Sequence, residues 1–291
     1  MTRDSLTSDE GAGDAFNSTA PQLHNTTALQ LNLQSKTNLL LGLASLPMLL
    51  FLLLPLLALV LRISPTQFLS NLVNPEVLQA LRLSVLTTVI TLILTVLCGT
   101  PLAYLIARRT FRGRKVLETL MDLPMVLPPS VAGIALLVAF GRRGLLGNYL
   151  QMASIEIAFT SAAVVLAQCF VAAPFYIKAA AAGFASLNIE LEEAAALDGA
   201  GPWQLLRYIR VPLIWPSLFG GAVMAWARAL GEFGATIIFA GNFVGRTQTM
   251  PLAIYQGFEQ DFGLALTLAM ILLVVSFTVL FVVRRVMNSE K

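Results

Sequence analysis

The chain has 291 residues, of which 57% are hydrophobic and only 12% charged, against about 25% charged in soluble domains, so a soluble globular fold is excluded. The formal net charge of +3 sits on basic residues at the ends of apolar runs, which argues against nucleic-acid binding and for orientation in a membrane. Cys98 and Cys169 each lie inside an apolar run and the one histidine, His24, lies in a polar stretch. That inventory builds no disulfide framework, no zinc site and no histidine-based catalysis within the membrane.

Residues 1–37 are rich in Ser, Thr, Asn, Asp and Gly without a sustained apolar period and read as a disordered polar tail. The remainder, 38–291, carries six apolar runs. The first, 39–61, is uncharged and of spanning length, with Pro47 and Pro55 as points of kinking. Asn74-Pro75-Glu76 is a helix start, and 83–107 reads as the second span, with five Thr and a Gly99-Thr100-Pro101 break. Its end is strongly basic, through Arg108, Arg109, Arg112, Arg114 and Lys115. The third span, 123–140, opens on Pro124, Pro128 and Pro129; the fourth, 157–177, holds Pro174 near its end and is followed by Lys178. The fifth is 213–239 and the sixth 263–283, closed by Arg284 and Arg285. The expected fold class is therefore all-α, a polytopic membrane protein with six transmembrane helices.

The basic cluster after the second span, the polar loop after the fourth and the basic C-terminus all point inward by the positive-inside rule. Arg142 and Arg143 dissent on the outer side. The expected topology places both termini in the cytoplasm.

The polar loop ELEEAAALDGAGPWQLLRYIRVP, 190–212, interrupts two apolar runs. Asn188 caps a first short helix whose opening turn is acidic, Gly199 and Gly201 end it, and Pro202 opens a second. Glu193, Ala194, Ala195, Gly199, Ile209 and Pro212 match the spacing EAA-x3-G-x9-I-x-L-P, with Val211 in place of Leu. This pattern resembles the signature of ABC-importer permeases of the type I fold. The resemblance implies cytoplasmic coupling helices between spans four and five that dock in a cleft of an ATPase subunit. Ala194, Ala195 and Gly199 permit close approach, and Glu193 can accept charge-assisted hydrogen bonds.

The strings DLPMVLPP (122–129), GRRGLLG (141–147), RALGEFGAT (228–236) and GRTQTMPLAIY (245–255) extend the likeness to the molybdate and sulfate permease group, closest to the molybdate permeases. The resemblance implies the permease subunit of an ATP-driven importer in a prokaryotic plasma (inner) membrane, passing molybdate by alternating access. Sulfate, thiosulfate and tungstate are the alternative substrates. The partners implied are a dimeric ABC ATPase that carries ATP and Mg, a second permease copy, an extracytoplasmic substrate-binding protein and membrane lipid. The chain contains no GxxxxGK[ST] phosphate loop, so nucleotide is expected on that separate ATPase, and no cofactor or catalytic residue is assigned to this chain.

Three further features bear on transport. Pro128, Pro129, Ser130 and Gly133 interrupt the third span, either kinking it or freeing carbonyls to line a wet pore. Arg228 and Glu232 are charges four residues apart inside the fifth, either a neutralised pair that locks helices or an outer gate for an anion. Gly221, Ala225 and Ala229 form a small-residue face suited to close packing or to a subunit or pore contact. A secondary transporter or channel is the rival reading, weakened because Glu232 is the only acid well within a span.

Overall fold

In the computed structural model every regular element among the described residues, 20–288, is a helix; side chains are described from 40 to 285. The chain divides into two units, residues 1–62 and 63–291. The first holds α1 (Ala20–Arg62), in which Leu40, Phe51, Leu54 and Leu61 are all exposed. A helix apolar on every side is suited to hydrocarbon rather than water. It runs through both Pro47 and Pro55. Because it begins at Ala20, residues 20–37 of the expected disordered tail are helical; the expectation for 1–19 lies outside the described residues.

The second unit begins with α2 (Pro65–Leu72) and α3 (Pro75–Arg108). Asn74 starts α3 as its motif implies, its Oδ1 accepting from Glu76 N–H at 2.9 Å. At about 1.5 Å per residue the helix is about 50 Å long, well beyond the hydrocarbon core of about 30 Å. Its buried face inverts the pattern of a soluble helix. Ser84, Thr87, Thr88, Thr91, Thr95 and Gly99 are buried, while Leu86, Ile90, Ile93 and Leu97 point outward. In lipid, outward leucines cost nothing, and small or hydroxyl side chains let helices approach closely and bond across the interface.

α3 packs on α7 (Ser161–Ala185). Thr91 Oγ1 meets Gln168 Oε1 at 3.0 Å, and Thr100 Oγ1 meets Tyr176 Oη at 2.6 Å. A Cβ added to Gly99 would come within 3.0 Å of the Tyr176 ring. The fourth span thus starts four residues later than expected and continues to Ala185, taking Lys178 into the helix, where it pairs with Asp122 at 2.8 Å.

The third span is not one straight helix. α4 (Arg114–Val126) and α5 (Pro129–Phe140) meet at 117°. Leu127 and Pro128 are extended, with ψ of 137° and 135°, because a residue before proline is pushed out of the α region. The short α6 (Gly147–Met152) comes before α7. Among the described residues five helices are long and apolar enough to cross a membrane, and the bent α4–α5 pair is the sixth when counted as one span.

After α8 (Ile189–Leu197), α9 (Pro202–Leu230) contains a π-helical turn over Leu205–Arg210. The fifth span ends at Leu230 rather than at residue 239; α10 (Gly234–Phe239) is a separate short helix, since Gly231 to Phe233 leave the helical path. α11 (Met250–Gln260) and α12 (Phe262–Asn288) complete the chain. Gly221, Ala225 and Ala229 are buried, and a Cβ at Gly221 would lie 2.7 Å from Ala179 Cβ. Within the chain, then, the small face of α9 serves to pack on α7.

Candidate functional site

The loop 186–212 folds as two short elements. Asn188 Oδ1 accepts from Glu190 N–H at 2.9 Å and caps α8. At its other end Gly199 takes φ +89°, with Ala200 N–H bonded to Ala195 O and Gly199 N–H to Ala196 O. This left-handed closure is why glycine stands there. Gln204 Oε1 accepts from Gly201 N–H at 2.8 Å and fixes the start of α9.

The six predicted coupling residues separate into exposed and half-buried positions. Glu193, Ala194, Gly199 and Pro212 are exposed, whereas Ala195 and Ile209 are half-buried. A Cβ at Gly199 would meet nothing within 4 Å. Gly199 and Ile209 both line a shallow depression of about 320 Å³ with Asp198, Ala200, Gln204 and Tyr208. Leu197, Trp203 and Tyr208 are exposed, Leu197 at 89%.

The strongest interaction in this region belongs to Glu192, which lies outside the predicted set. Glu192 is 8% exposed. One carboxylate oxygen pairs with Arg108 at the end of α3; the other accepts from Arg210 Nη2 at 2.8 Å and Nε at 3.2 Å. Arg210 lies over the Tyr104 ring at 5.2 Å, and Tyr104 meets Phe184 edge-on at 5.3 Å. Burial works against ionisation of Glu192, but hydrogen bonds and charge from Arg210 and Arg108 outweigh it and hold the carboxyl below its ordinary range. No local signal marks this residue: its partners lie 84 and 18 positions away.

The predicted pore residues converge at the other break. Glu232 is 1% exposed; its Oε1 accepts from Ala235 N–H at 2.8 Å, so it caps α10. Its Oε2 lies 2.7 Å from Arg228 Nη1, a charge contact without good hydrogen-bond angles. A Cβ at Gly234 would fall 2.7 Å from Pro129 Cβ, and one at Gly133 would fall 2.8 Å from Ala235 O. The structure therefore brings Pro129, Ser130 and Gly133 onto α10 beside the Arg228–Glu232 pair. Pro128, Pro129 and Ser130 are exposed, and Arg228 is half-buried.

The GRRG and GRTQ strings also meet. They border a cavity of about 410 Å³ lined by Phe140, Arg142, Glu156, Phe159, Phe243 and Arg246 among others. Ser161 Oγ donates to Arg246 O at 2.7 Å, and Phe159 holds φ +62°, an unfavourable conformation for a bulky residue. Among the described residues no group of three or more His, Cys, Asp or Glu is arranged to hold a metal.

A bundle of apolar helices with polar and small inner faces, a bent third span and an exposed polar loop defines a membrane-embedded helical protein. The chain belongs to the family described as "Binding-protein-dependent transport system inner membrane component", which matches residues 99–287. It is an ABC-importer permease subunit. It is 43% identical over 226 residues to the molybdenum transport system permease protein of Mycobacterium tuberculosis, covering 78% of this chain and 86% of that one. A probable transport system permease protein of Clostridium pasteurianum is 40% identical over 223 residues, 75% of this chain and 77% of its own. The sulfate transport system permease protein of Synechococcus elongatus is 37% identical over 193 residues, covering 66% and 68%. Among solved structures, a bacterial ABC transporter that imports the acidic polysaccharide alginate shares the fold at TM-score 0.70 and 18% identity, over 89% of this chain and 99% of that one.

Proposed function

We propose that the chain passes molybdate through a prokaryotic plasma membrane by alternating access, as one of two identical permease copies around a central path. The observation that carries the substrate is the 43% identity to a molybdenum permease over 78% of the chain. An extracytoplasmic binding protein delivers the dianion, and Arg246 on the rim of the 410 Å³ cavity, with the exposed Arg143, supplies a basic face for it, while Arg142 on the same rim is paired with Glu156 at 2.8 Å. A separate ATPase dimer binds ATP and Mg and acts through Glu193, Ala194, Ala195, Gly199, Ile209 and Pro212. The exposed face of α8 and the depression at Gly199 support that docking. Both termini then lie in the cytoplasm.

Arg228 sets the potential of a gate for the anion. Glu232 fixes its Nη1 and leaves its other donors for the path, while Pro128, Pro129 and Ser130 border the same break. Uptake into vesicles holding the permease, the ATPase and the binding protein tests the substrate. ATP-dependent molybdate uptake should be suppressed by tungstate and unaffected by equal sulfate. Sulfate-selective uptake would establish the second reading, which the 37% identical sulfate relative favours; uptake without ATP would remove the importer mechanism. Arg228→Ala should lower uptake more than Arg228→Lys, and full uptake in both would remove the gate.

A further inference from the structure

We infer that Glu192, Arg108 and Arg210 form a rigid joint that makes the coupling helix move as one body with the ends of α3 and α9. The inference rests on the proposed docking of an ATPase at this loop, and it names the part of the permease that receives the motion. Four observations carry it.

First, the exposed residues of α8 and its one buried residue do different things. Glu193 and Ala194 face outward, while their neighbour Glu192 faces inward and is buried. A partner can grip one face of α8 without disturbing the other. Second, the single carboxylate reaches two elements far apart in the chain, one oxygen to each. Both arginine side chains are only 15% exposed. Moving α8 alone would strand at least one buried charge, which is costly, so displacement of all three together is the cheaper motion.

Third, the spare positive charge is accommodated locally. Two guanidinium groups face one carboxylate, but Arg108 closes α3 and reaches toward Leu187 O, just beyond α7. Helix C-termini carry partial negative charge, and the Tyr104 ring takes the face of Arg210. Glu192 itself lies in the first turn of α8, where the dipole favours an acid. Fourth, Arg210 ends the π-helical turn Leu205–Arg210. One residue inserted into a helix rotates the later turns by about 100°, so the wider turn sets where Arg210 faces. Glu192 and its partners are thus positioning residues: they touch no substrate and act through the helices they tie.

The test uses the assembled transporter in lipid vesicles and the permease alone. In Glu192→Gln, ATP hydrolysis should persist while molybdate taken up per ATP hydrolysed falls about tenfold, the range of a typical lost coupling. Arg210→Lys, which keeps the charge but loses the fork, should give an intermediate loss. For the joint itself, spin labels attached through Leu197→Cys and Arg109→Cys, both exposed sites, report the distance from α8 to the end of α3 in the permease alone, with Cys98 and Cys169 replaced by Ser. The distribution should be narrow in the parent and broad in Glu192→Gln. A distribution that stays narrow, or an unchanged ratio of uptake to hydrolysis, overturns the inference. If the parent itself shows no ATP-driven uptake of any oxyanion, the importer reading fails, while the spin-label distances still judge the joint.

Discussion

Glu192 and Glu232 are both buried carboxylates held by arginine, and they organise the chain at different ranges. Glu232 works locally: its arginine is four residues back and the amide it caps is three residues on. It shapes a break within one stretch of chain and brings α10 against Pro129 and Gly133. Glu192 works across the fold, tying α8 to residues 84 and 18 positions away. The first arrangement can form as the segment folds; the second exists only once three elements are in place. A permease built this way has one buried acid that fixes a bend in a helix and another that fixes a helix to its neighbours.

Removing each acid should expose that difference. Glu192→Ala leaves two poorly exposed arginines facing each other and should destabilise the permease by about 3–5 kcal/mol, read as a lower unfolding midpoint in detergent. Glu232→Ala removes one cap and frees a half-buried arginine, so a smaller loss of about 2 kcal/mol is expected in the same assay. A larger loss for Glu232 than for Glu192 would reverse the comparison.

Acid should narrow the gap. The Glu192 carboxyl titrates lower in the folded chain than its ordinary 4.5, so its contribution is complete above that value and drains as pH falls through the lower folded value. The midpoint difference between the parent and Glu192→Gln should be constant above about pH 6 and shrink on acidification below about 4.5. A difference independent of pH in that window would show that the carboxylate is not ionised in the joint.

The smallest structural effect belongs to the exposed face. Gly199→Ala meets no neighbouring atom but must hold φ +89°, costing about 1–2 kcal/mol. Gly199→Trp and Glu193→Arg should both insert normally, yet uncouple ATP hydrolysis from uptake. Normal transport in both would falsify the coupling assignment.

Local signals made much of this legible. Asn74 and Asn188 cap the helices they were expected to cap, because an Asx side chain before a proline or an acidic turn needs only its next two residues. Gly199 closes α8 for a reason equally local. The bend between α4 and α5 was foreshadowed by Pro128 and Pro129, but not its 117°. The span expected to reach residue 239 stops at Leu230 because Glu232 caps a new helix, and an apolar run looks alike whether or not it turns.

The sequence by itself determined the membrane class, the apolar spans and the exposed loop with its family spacing. These depend on composition and on contacts a few residues apart. Only the tertiary structure decided that Glu192, rather than its neighbour Glu193, is the buried acid, that threonines line the inner face of α3, and that Pro129 and Gly234 touch. Those facts depend on which helices lie side by side, and burial is a property of that arrangement rather than of any residue's neighbours in the chain.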